Sequence, residues 1–369
     1  MIIRENNREE LAKSIRSAYP LTADVHLRFG NCHIRVQSNS ESVINGLKLY
    51  FSAFTAAPSE ADRLISVYQT DDVSVDMVLT EKTPDPGKTK IKEEYADIGD
   101  GRIVRKKLTG MVFIFGGTDH IAVGPCVENL NQVVNFINNR YIEWQILRGG
   151  ILGHAAGVRL HDKGIALAGF SGMGKSTLAL HLVNQGADFV SNDRLILEKT
   201  EVGIRMHGVG KLPRVNPGTI LNNPSLQGLL PLKDFERFAS LPKADLWNLE
   251  YKYDVPIDRF FGSNRFILST PLDALIILNW KQNGDPTLMK PVNIENRRDL
   301  LPAFMKSTGL FFLPEPHMPA SDPSEYAYIR LLKVNQVFEI SGGVDFQAAV
   351  KACLEWTQTG EPSLAAEST

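Results

Sequence analysis

The sequence predicts an α/β domain that carries a phosphate-binding loop, preceded by a β-rich α+β accessory domain. Three observations support this fold class. An apolar strand leads into a glycine-rich loop and an apolar-faced helix at residues 165–183, alternating strand patterns dominate residues 1–126, and a helical pattern separates the two regions. A chain of 369 residues also exceeds one ordinary core and fits two domains.

Composition limits the functional class. Hydrophobic residues make up 43% and charged residues 22% of the chain, as in a typical globular protein. The net charge of −2 supplies no long-range field to attract nucleic acid or an anionic membrane. The start lacks a signal-peptide pattern, and no apolar run approaches the ~18 residues of a membrane helix. Cys32, Cys126 and Cys353 are widely spaced, which predicts reduced thiols. We therefore expect a cytoplasmic protein that binds neither nucleic acid nor membrane.

The accessory domain is predicted over residues 1–126. Apolar and polar residues alternate at 25–36, 64–68, 73–79 and 111–123, which indicates strands, whereas residues 42–51 have helical spacing. Residues 81–107 are rich in charge, proline and glycine and predict a surface loop or hairpin. This segment either contacts a substrate or partner, or is a solvated excursion.

A linking helix is predicted within residues 127–150. Apolar side chains recur every three or four positions from 129 to 147, and Gly149 and Gly150 end the pattern. The α/β domain then covers residues 151–360, and the polar tail 361–369 is predicted to be disordered.

The strongest motif is G-x-x-x-x-G-K-S, which starts at Gly169. Its glycines allow several backbone N–H groups to converge on phosphates, and the following helix adds the positive end of its dipole. Lys175 is expected to reach the β and γ phosphates of ATP, and the Ser176 hydroxyl to bind Mg²⁺. The residues predicted to hold the nucleotide all belong to this loop and the first helical turn: Gly169, Ser171, Gly172, Met173, Gly174, Lys175, Ser176 and Thr177.

A second strand ends at Asn192 and Asp193 after this helix. A carboxylate at the end of a strand beside a P-loop is placed to bind the metal, so Asp193 is predicted to be a metal ligand. A capping or turn aspartate is the alternative interpretation.

These residues resemble the catalytic domain of the HPr kinase/phosphorylase family, and more closely its HprK-related kinase B branch. The GFSGMGKS loop, His154 within GHAAGVRL, and the Asn192–Asp193 pair stand where that family has its P-loop, an active-site histidine motif and two adjacent aspartates. Residues 245–262 and 272–280 resemble the branch specifically. The resemblance implies an HPr-kinase-type P-loop domain with Asp193, His154 and Lys175 as catalytic residues, and Ser176 and Asp193 as metal ligands.

The sequence also departs from the family pattern. Asn192 replaces an aspartate and cannot act as a base, and Met206 and His207 stand where acidic and basic residues are expected. Either Asp193 serves as both base and metal ligand, or Asp254, Asp258 or His154 supplies the base. The resemblance therefore does not by itself imply the family's reverse, phosphorylase reaction for this chain, and that question stays open.

Several basic residues have two interpretations. Lys211 and Arg214 lie on a glycine- and proline-rich stretch, where they would neutralise a transferring phosphoryl group or remain solvated. The same alternatives apply to Arg259 and Arg265, one of which is expected to bind phosphate or acceptor.

The predicted function is ATP- and Mg²⁺-dependent transfer of a phosphoryl group to a hydroxyl, either a serine of a protein or peptide or a small hydroxylated molecule. An ATP-binding switch without transfer is the alternative from another class, and a carboxykinase-like enzyme is a third. The resemblance implies acetyltransferase-like and ATP-grasp partners, and a homo-oligomer whose symmetry is left open.

Overall fold

The structure is a computed structural model that describes residues 1–4, 7–71, 73–84, 89–249, 251–315, 318 and 322–362. It divides into two compact units: unit 1 is Met1–Leu147 with Thr308–Ala320, and unit 2 is Arg148–Ser307 with Ser321–Thr369. A mixed α/β architecture with several sheets is confirmed. The helix that the sequence placed between the domains lies within unit 1. From residue 363 onward, the predicted disordered tail lies outside the described residues.

Unit 1 combines a large sheet with three α-helices among its described residues. The helices are α1 (Arg8–Ala18), α2 (Glu41–Tyr50) and α3 (Leu130–Ile146), and a 3-10 turn covers Ser52–Phe54. The strands are β1 (Ile2–Ile3), β2 (Ala23–Phe29), β3 (Cys32–Ser38), β4 (Arg63–Gln69), β5 (Ser74–Val75), β6 (Thr80–Glu81), β7 (Glu93–Ile98), β8 (Gly101–Lys106), β9 (Val112–Phe115) and β10 (Asp119–Gly124).

The main sheet of unit 1 has the order β2-β3-β4-β10-β9-β8-β7-β6, and β1 pairs separately with β5. Because side chains alternate between the faces of a strand, successive residues of β9 meet different helices. Val112 and Ile114 pack with Leu11 of α1, whereas the Phe113 ring lies 4.8 Å from that of Phe136 on α3. The apolar face of α3 is therefore part of the core of unit 1.

Three predicted segments of unit 1 take a more specific form in the structure. Residues 25–36 belong to a hairpin whose turn requires the positive φ of Gly30 (61°). Within 73–79, only Ser74–Val75 forms a strand. The charged segment 81–107 contains the β7–β8 hairpin, while its residues 85–88 lie outside the described part of the chain.

Unit 2 is built from several sheets and short helices. The helices are α4 (Lys175–Asn184), α5 (Pro217–Leu221), α6 (Leu232–Ala239), α7 (Lys243–Asn248), α8 (Ile257–Phe261), α9 (Glu325–Leu332) and α10 (Phe346–Thr359), with 3-10 segments at Pro224–Leu229 and Arg298–Ala303. The strands are β11 (Ile151–Gly153), β12 (Ala155–Leu160), β13 (Lys163–Gly169), β14 (Asp188–Ser191), β15 (Leu195–Thr200), β16 (Gly203–His207), β17 (Arg214–Val215), β18 (Tyr253–Asp254), β19 (Ser269–Pro271), β20 (Ala274–Leu278), β21 (Leu288–Pro291) and β22 (Gln336–Ser341).

A six-stranded sheet with the order β14-β12-β13-β20-β22-β21 organises unit 2. A second sheet, β11-β15-β16-β19, shares one buried apolar cluster with it. Helix α4 packs on β12, β13 and β14 and contacts α10. Because β13, β20 and β22 run parallel, their carboxyl ends meet at one edge of the sheet, and the glycine-rich loop leaves β13 at this edge.

No helix among the described residues combines the length and apolarity needed to cross a membrane.

Candidate active site

The predicted phosphate-binding loop connects β13 directly to α4. Gly169, Gly172 and Gly174 have φ angles of 154°, 84° and 85°, a region that side chains disfavour. A Cβ atom on Gly174 would also lie 2.6 Å from the Phe346 ring. The glycine spacing that the sequence shows is therefore needed both by the backbone and by the packing around it.

An indole ring supports this loop from outside the motif. The Nε1–H of Trp280 donates to the Met173 carbonyl over 3.0 Å, and the centroids of the Trp280 and Phe346 rings are 5.0 Å apart. The Met173 N–H donates to the Phe170 carbonyl over 3.2 Å. Trp280 could not be predicted as a loop support, because its contact with Met173 depends on the pairing of β13 with β20.

Lys175 begins α4 and turns back over the loop. Its Nζ donates to the carbonyl oxygens of Gly169 at 2.6 Å and Phe170 at 3.4 Å, and the residue is only 8% exposed. Burial lowers the Lys175 pKa to about 8, with the Asp193 carboxylate opposing that change and Lys306 adding to it. The amine therefore lies within electrostatic range of Asp193.

Ser176 and Thr177 complete the first turn of α4, and both are half-buried. The Thr177 hydroxyl lies 2.8 Å from that of Thr219, which anchors the turn to α5. Ser176 is the second residue of α4 and therefore lies on the helical turn nearest the loop.

The structure brings His154 and Asp193 into contact. Nε2 of His154 lies 3.0 Å from Oδ1 of Asp193. His154 connects β11 to β12, and Asp193 follows β14; since β12 and β14 pair antiparallel, with Gly157 opposite Ser191, the two residues meet at one edge. Two of the predicted catalytic residues thus form one hydrogen-bonded pair.

Several groups keep the Asp193 carboxylate ionised. Burial by itself would raise the Asp193 pKa, but the hydrogen bond to His154 and the charges of Lys306 and Arg194 outweigh it and hold the pKa well below its usual range. Nζ of Lys306 lies 3.9 Å from the second oxygen, Oδ2. Lys306 belongs to no sequence motif, so its place beside Asp193 could not be predicted.

The neighbouring candidate bases have other contacts. Asp254 forms an ion pair of 3.3 Å with Arg214, and burial raises its pKa although Arg214 opposes this. Asp258 accepts the backbone N–H of Arg265 over 3.3 Å. The Oδ1 atom of Asn192 is buried and has no hydrogen-bond partner among the described residues.

The basic residues divide between the two ends of α4. Lys211 has its pKa lowered by burial and by the charge of Arg194, and it lies within electrostatic range of Asp193. Arg265 instead donates to the carbonyls of Val183 and Ala187 over 3.4 and 2.6 Å. Arg265 therefore lies at the carboxyl end of α4, away from the loop, and not at a phosphate site.

The donor set suits magnesium only together with a nucleotide. Among the described residues, no group of three or more His, Cys, Asp or Glu side chains could hold a metal. The hydroxyl of Ser176 and the ionised carboxylate of Asp193 are the hard oxygen donors that Mg²⁺ prefers, and phosphate oxygens usually supply the others. Both residues therefore supply the type of donor that the ion would need in that mode.

Comparisons with known proteins agree with the predicted resemblance. The chain is 30% identical over 132 residues to the HPr kinase/phosphorylase of Clostridium tetani, which covers 34% of this chain and 41% of that protein. It is 25% identical over 178 residues to the HPr kinase/phosphorylase of Geobacillus kaustophilus, with 47% and 57% covered. No family model matches the chain.

A solved structure, the Hpr(Ser) kinase/phosphatase from Coxiella burnetii, has a TM-score of 0.25 and 13% identity, covering 53% of this chain and 79% of that one. A likeness this slight supports no structural argument. The matches span about half the length of the two relatives. They confirm that the chain is related to HPr kinase/phosphorylases, and they do not distinguish the branches of that family.

Proposed function

We propose that this relative of the HPr kinase/phosphorylases is an ATP-dependent phosphotransferase whose active site lies at the carboxyl edge of β13 in unit 2. The single observation that carries the proposal is the contact between His154 and Asp193, within electrostatic range of the buried Lys175. A phosphate loop alone would bind a nucleotide. An adjacent ionised carboxylate with a histidine partner adds the means to bind a metal and to receive a proton.

Each residue has a distinct role in the proposed reaction. The N–H groups of the loop and the Lys175 ammonium orient the triphosphate. Ser176 and Asp193 would hold Mg²⁺, which would supply positive charge to neutralise the phosphates. The acceptor oxygen bonds to the γ phosphorus while the bond to the bridging oxygen breaks, and ADP leaves with that electron pair. The hydroxyl proton passes to the pair formed by Asp193 and His154.

A low pKa makes Asp193 a weak base, and phosphoryl transfer tolerates one. The transition state is largely dissociative, so positioning and charge neutralisation provide most of the acceleration. Because Asp254 and Asp258 are engaged elsewhere, the His154–Asp193 pair is the better candidate for the base. Asp193 would then serve both as a metal ligand and in proton transfer.

The acceptor is proposed to be a hydroxyl, and the resemblance to the HPr kinase family that the sequence motifs carry favours a serine of a protein. A small hydroxylated molecule is the other candidate. Assignment to the HprK-related kinase B branch, partnership with acetyltransferase-like and ATP-grasp proteins, homo-oligomerisation and a cytoplasmic location stay predictions from the resemblance and composition.

The test follows label from γ-labelled ATP into a protein and metabolite extract of the source cells. Wild type is compared with Lys175→Ala and Asp193→Asn, and with Asp299→Asn, which removes an ion-paired carboxylate at the surface. We expect one acceptor to gain label with wild type and Asp299→Asn. Transfer should fall on the order of 10³-fold with Asp193→Asn, because both metal binding and proton transfer suffer.

Two outcomes would contradict the proposal. Label transfer that survives Asp193→Asn at the wild-type rate would remove Asp193 from the reaction. Tight ATP binding without label in any acceptor would favour the nucleotide-dependent switch, and Asn192 would then explain the missing base.

A further inference from the structure

Lys306 is a charged group of the site that the proposed reaction has not used. Its Nζ lies 3.9 Å from Oδ2 of Asp193, too far for a hydrogen bond, and its side chain is 28% exposed. Among the described residues, no other acid pairs with it. The ammonium therefore keeps its donors available while it stays beside the carboxylate.

The backbone around Lys306 is fixed to the segment that carries His154, between β11 and β12. The N–H of His154 donates to the Phe304 carbonyl over 2.6 Å, and Gly153 pairs with Met305. This antiparallel register places Lys306 opposite Leu152 of β11. Its position beside Asp193 thus follows from strand pairing and not from a mobile surface chain.

The buried hydroxyl of Tyr328 stabilises this pairing by bonding to both segments. Tyr328 on α9 is 1% exposed, donates to the Leu152 carbonyl over 2.6 Å, and accepts the N–H of Lys306 over 3.3 Å. Its ring meets that of Phe304 edge-on, with centroids 5.9 Å apart. The Tyr328 hydroxyl therefore joins the segments that carry His154 and Lys306.

Resting on the proposed function, we propose that Lys306 is a second catalytic cation that contacts the transferring phosphoryl group, and that Tyr328 is the positioning residue that holds it there. Lys175 is bonded to carbonyls of the loop and approaches the phosphates from the loop side. Lys306 approaches from the side of Asp193, where the acceptor must enter. As ADP departs and the acceptor oxygen bonds to phosphorus, the Lys306 ammonium neutralises the equatorial phosphoryl oxygens.

The test separates kcat from ATP affinity in the full-length protein. Lys306→Met removes the charge at similar length, Lys306→Arg retains it, and Lys351→Met is the control at a lysine whose side chain is 75% exposed. Label transfer from γ-labelled ATP gives kcat, and calorimetry with MgATP gives affinity. We expect Lys306→Met to lower kcat about 100-fold, the loss typical of one transition-state donor. MgATP affinity should change less than about threefold, since a contact made only in the transition state leaves ground-state binding unchanged. Lys306→Arg should restore at least part of kcat.

Tyr328→Phe tests the positioning role, because it removes only the hydroxyl. We expect kcat to fall without loss of MgATP affinity, and the double variant with Lys306→Met to be no slower than Lys306→Met alone, as for residues acting in one unit. A Lys306→Met enzyme as fast as Lys351→Met, while wild type transfers label, would overturn the inference and leave the proposed function intact. Wild type that transfers no label would overturn both.

Discussion

Because the Lys175 amine is buried, we expect it to make the free energy of unfolding of the wild type rise with pH. Replacing Lys175 should remove this contribution. Burial lowers the Lys175 pKa from 10.5 to about 8, and the residue is only 8% exposed. At about 1.4 kcal/mol for each pKa unit, keeping this amine protonated costs the folded state about 3 kcal/mol at neutral pH. We infer that this cost is tolerated because a cation is needed at the proposed phosphate-binding loop.

The sign follows from proton linkage. Between pH 8 and 10.5 the folded protein has released the Lys175 proton, whereas the unfolded chain still binds it, so the free energy of unfolding rises with pH. Below pH 8 the full penalty is present. In Lys175→Met this contribution is absent at every pH. Relative to the variant, wild type should therefore gain about 3 kcal/mol as pH rises, most of it by pH 10.

The measurement is urea unfolding of wild type and Lys175→Met at intervals from pH 7 to pH 10. Other titrating groups contribute equally to both proteins and cancel in the difference. Lys351→Met controls for the loss of one positive charge at an exposed position. A difference between wild type and Lys175→Met that stays constant to within about 0.5 kcal/mol would refute the reasoning, because the amine would then not be desolvated in the folded state.

Two further predictions concern the ends of α4. Gly174→Ala should cost more stability than Gly186→Ala, by about 1 kcal/mol or more, because both positions have positive φ but only the first meets the Phe346 ring. Thermal unfolding compares the two, and equal losses would argue against the ring contact. Arg265→Ala should lower stability by about 1–3 kcal/mol, because the Ala187 carbonyl loses the Arg265 donor and Asp188 loses one of its two arginine partners, with label transfer retained. If the folded variant lost phosphoryl transfer, Arg265 would have a role in the reaction, which would contradict this prediction.

The local sequence was sufficient to predict the glycine-rich loop and the strand and helix beside it. The positions of Gly169, Gly172 and Gly174, and the helix that begins at Lys175, follow from residues that adjoin in sequence. Glycine is favoured where the backbone takes a positive φ, and apolar residues at helical spacing can be recognised from the local sequence alone. The same reasoning predicted α2 and α3, because their apolar spacing spans several turns.

The contacts among distant residues were decided only by the tertiary structure. His154 was expected from a resemblance, but its contact with Asp193 depends on the pairing of β12 with β14. Lys306 and Tyr328 belong to no motif. Lys306 reaches the site because residues 304 and 305 pair with 154 and 153, and the Tyr328 hydroxyl bonds to both Leu152 and Lys306. A side chain's neighbours across a sheet depend on strand order and register, which the spacing of residues within one strand does not encode. For that reason the sequence determined the loop that would bind phosphate, whereas only the fold decided which charges surround it.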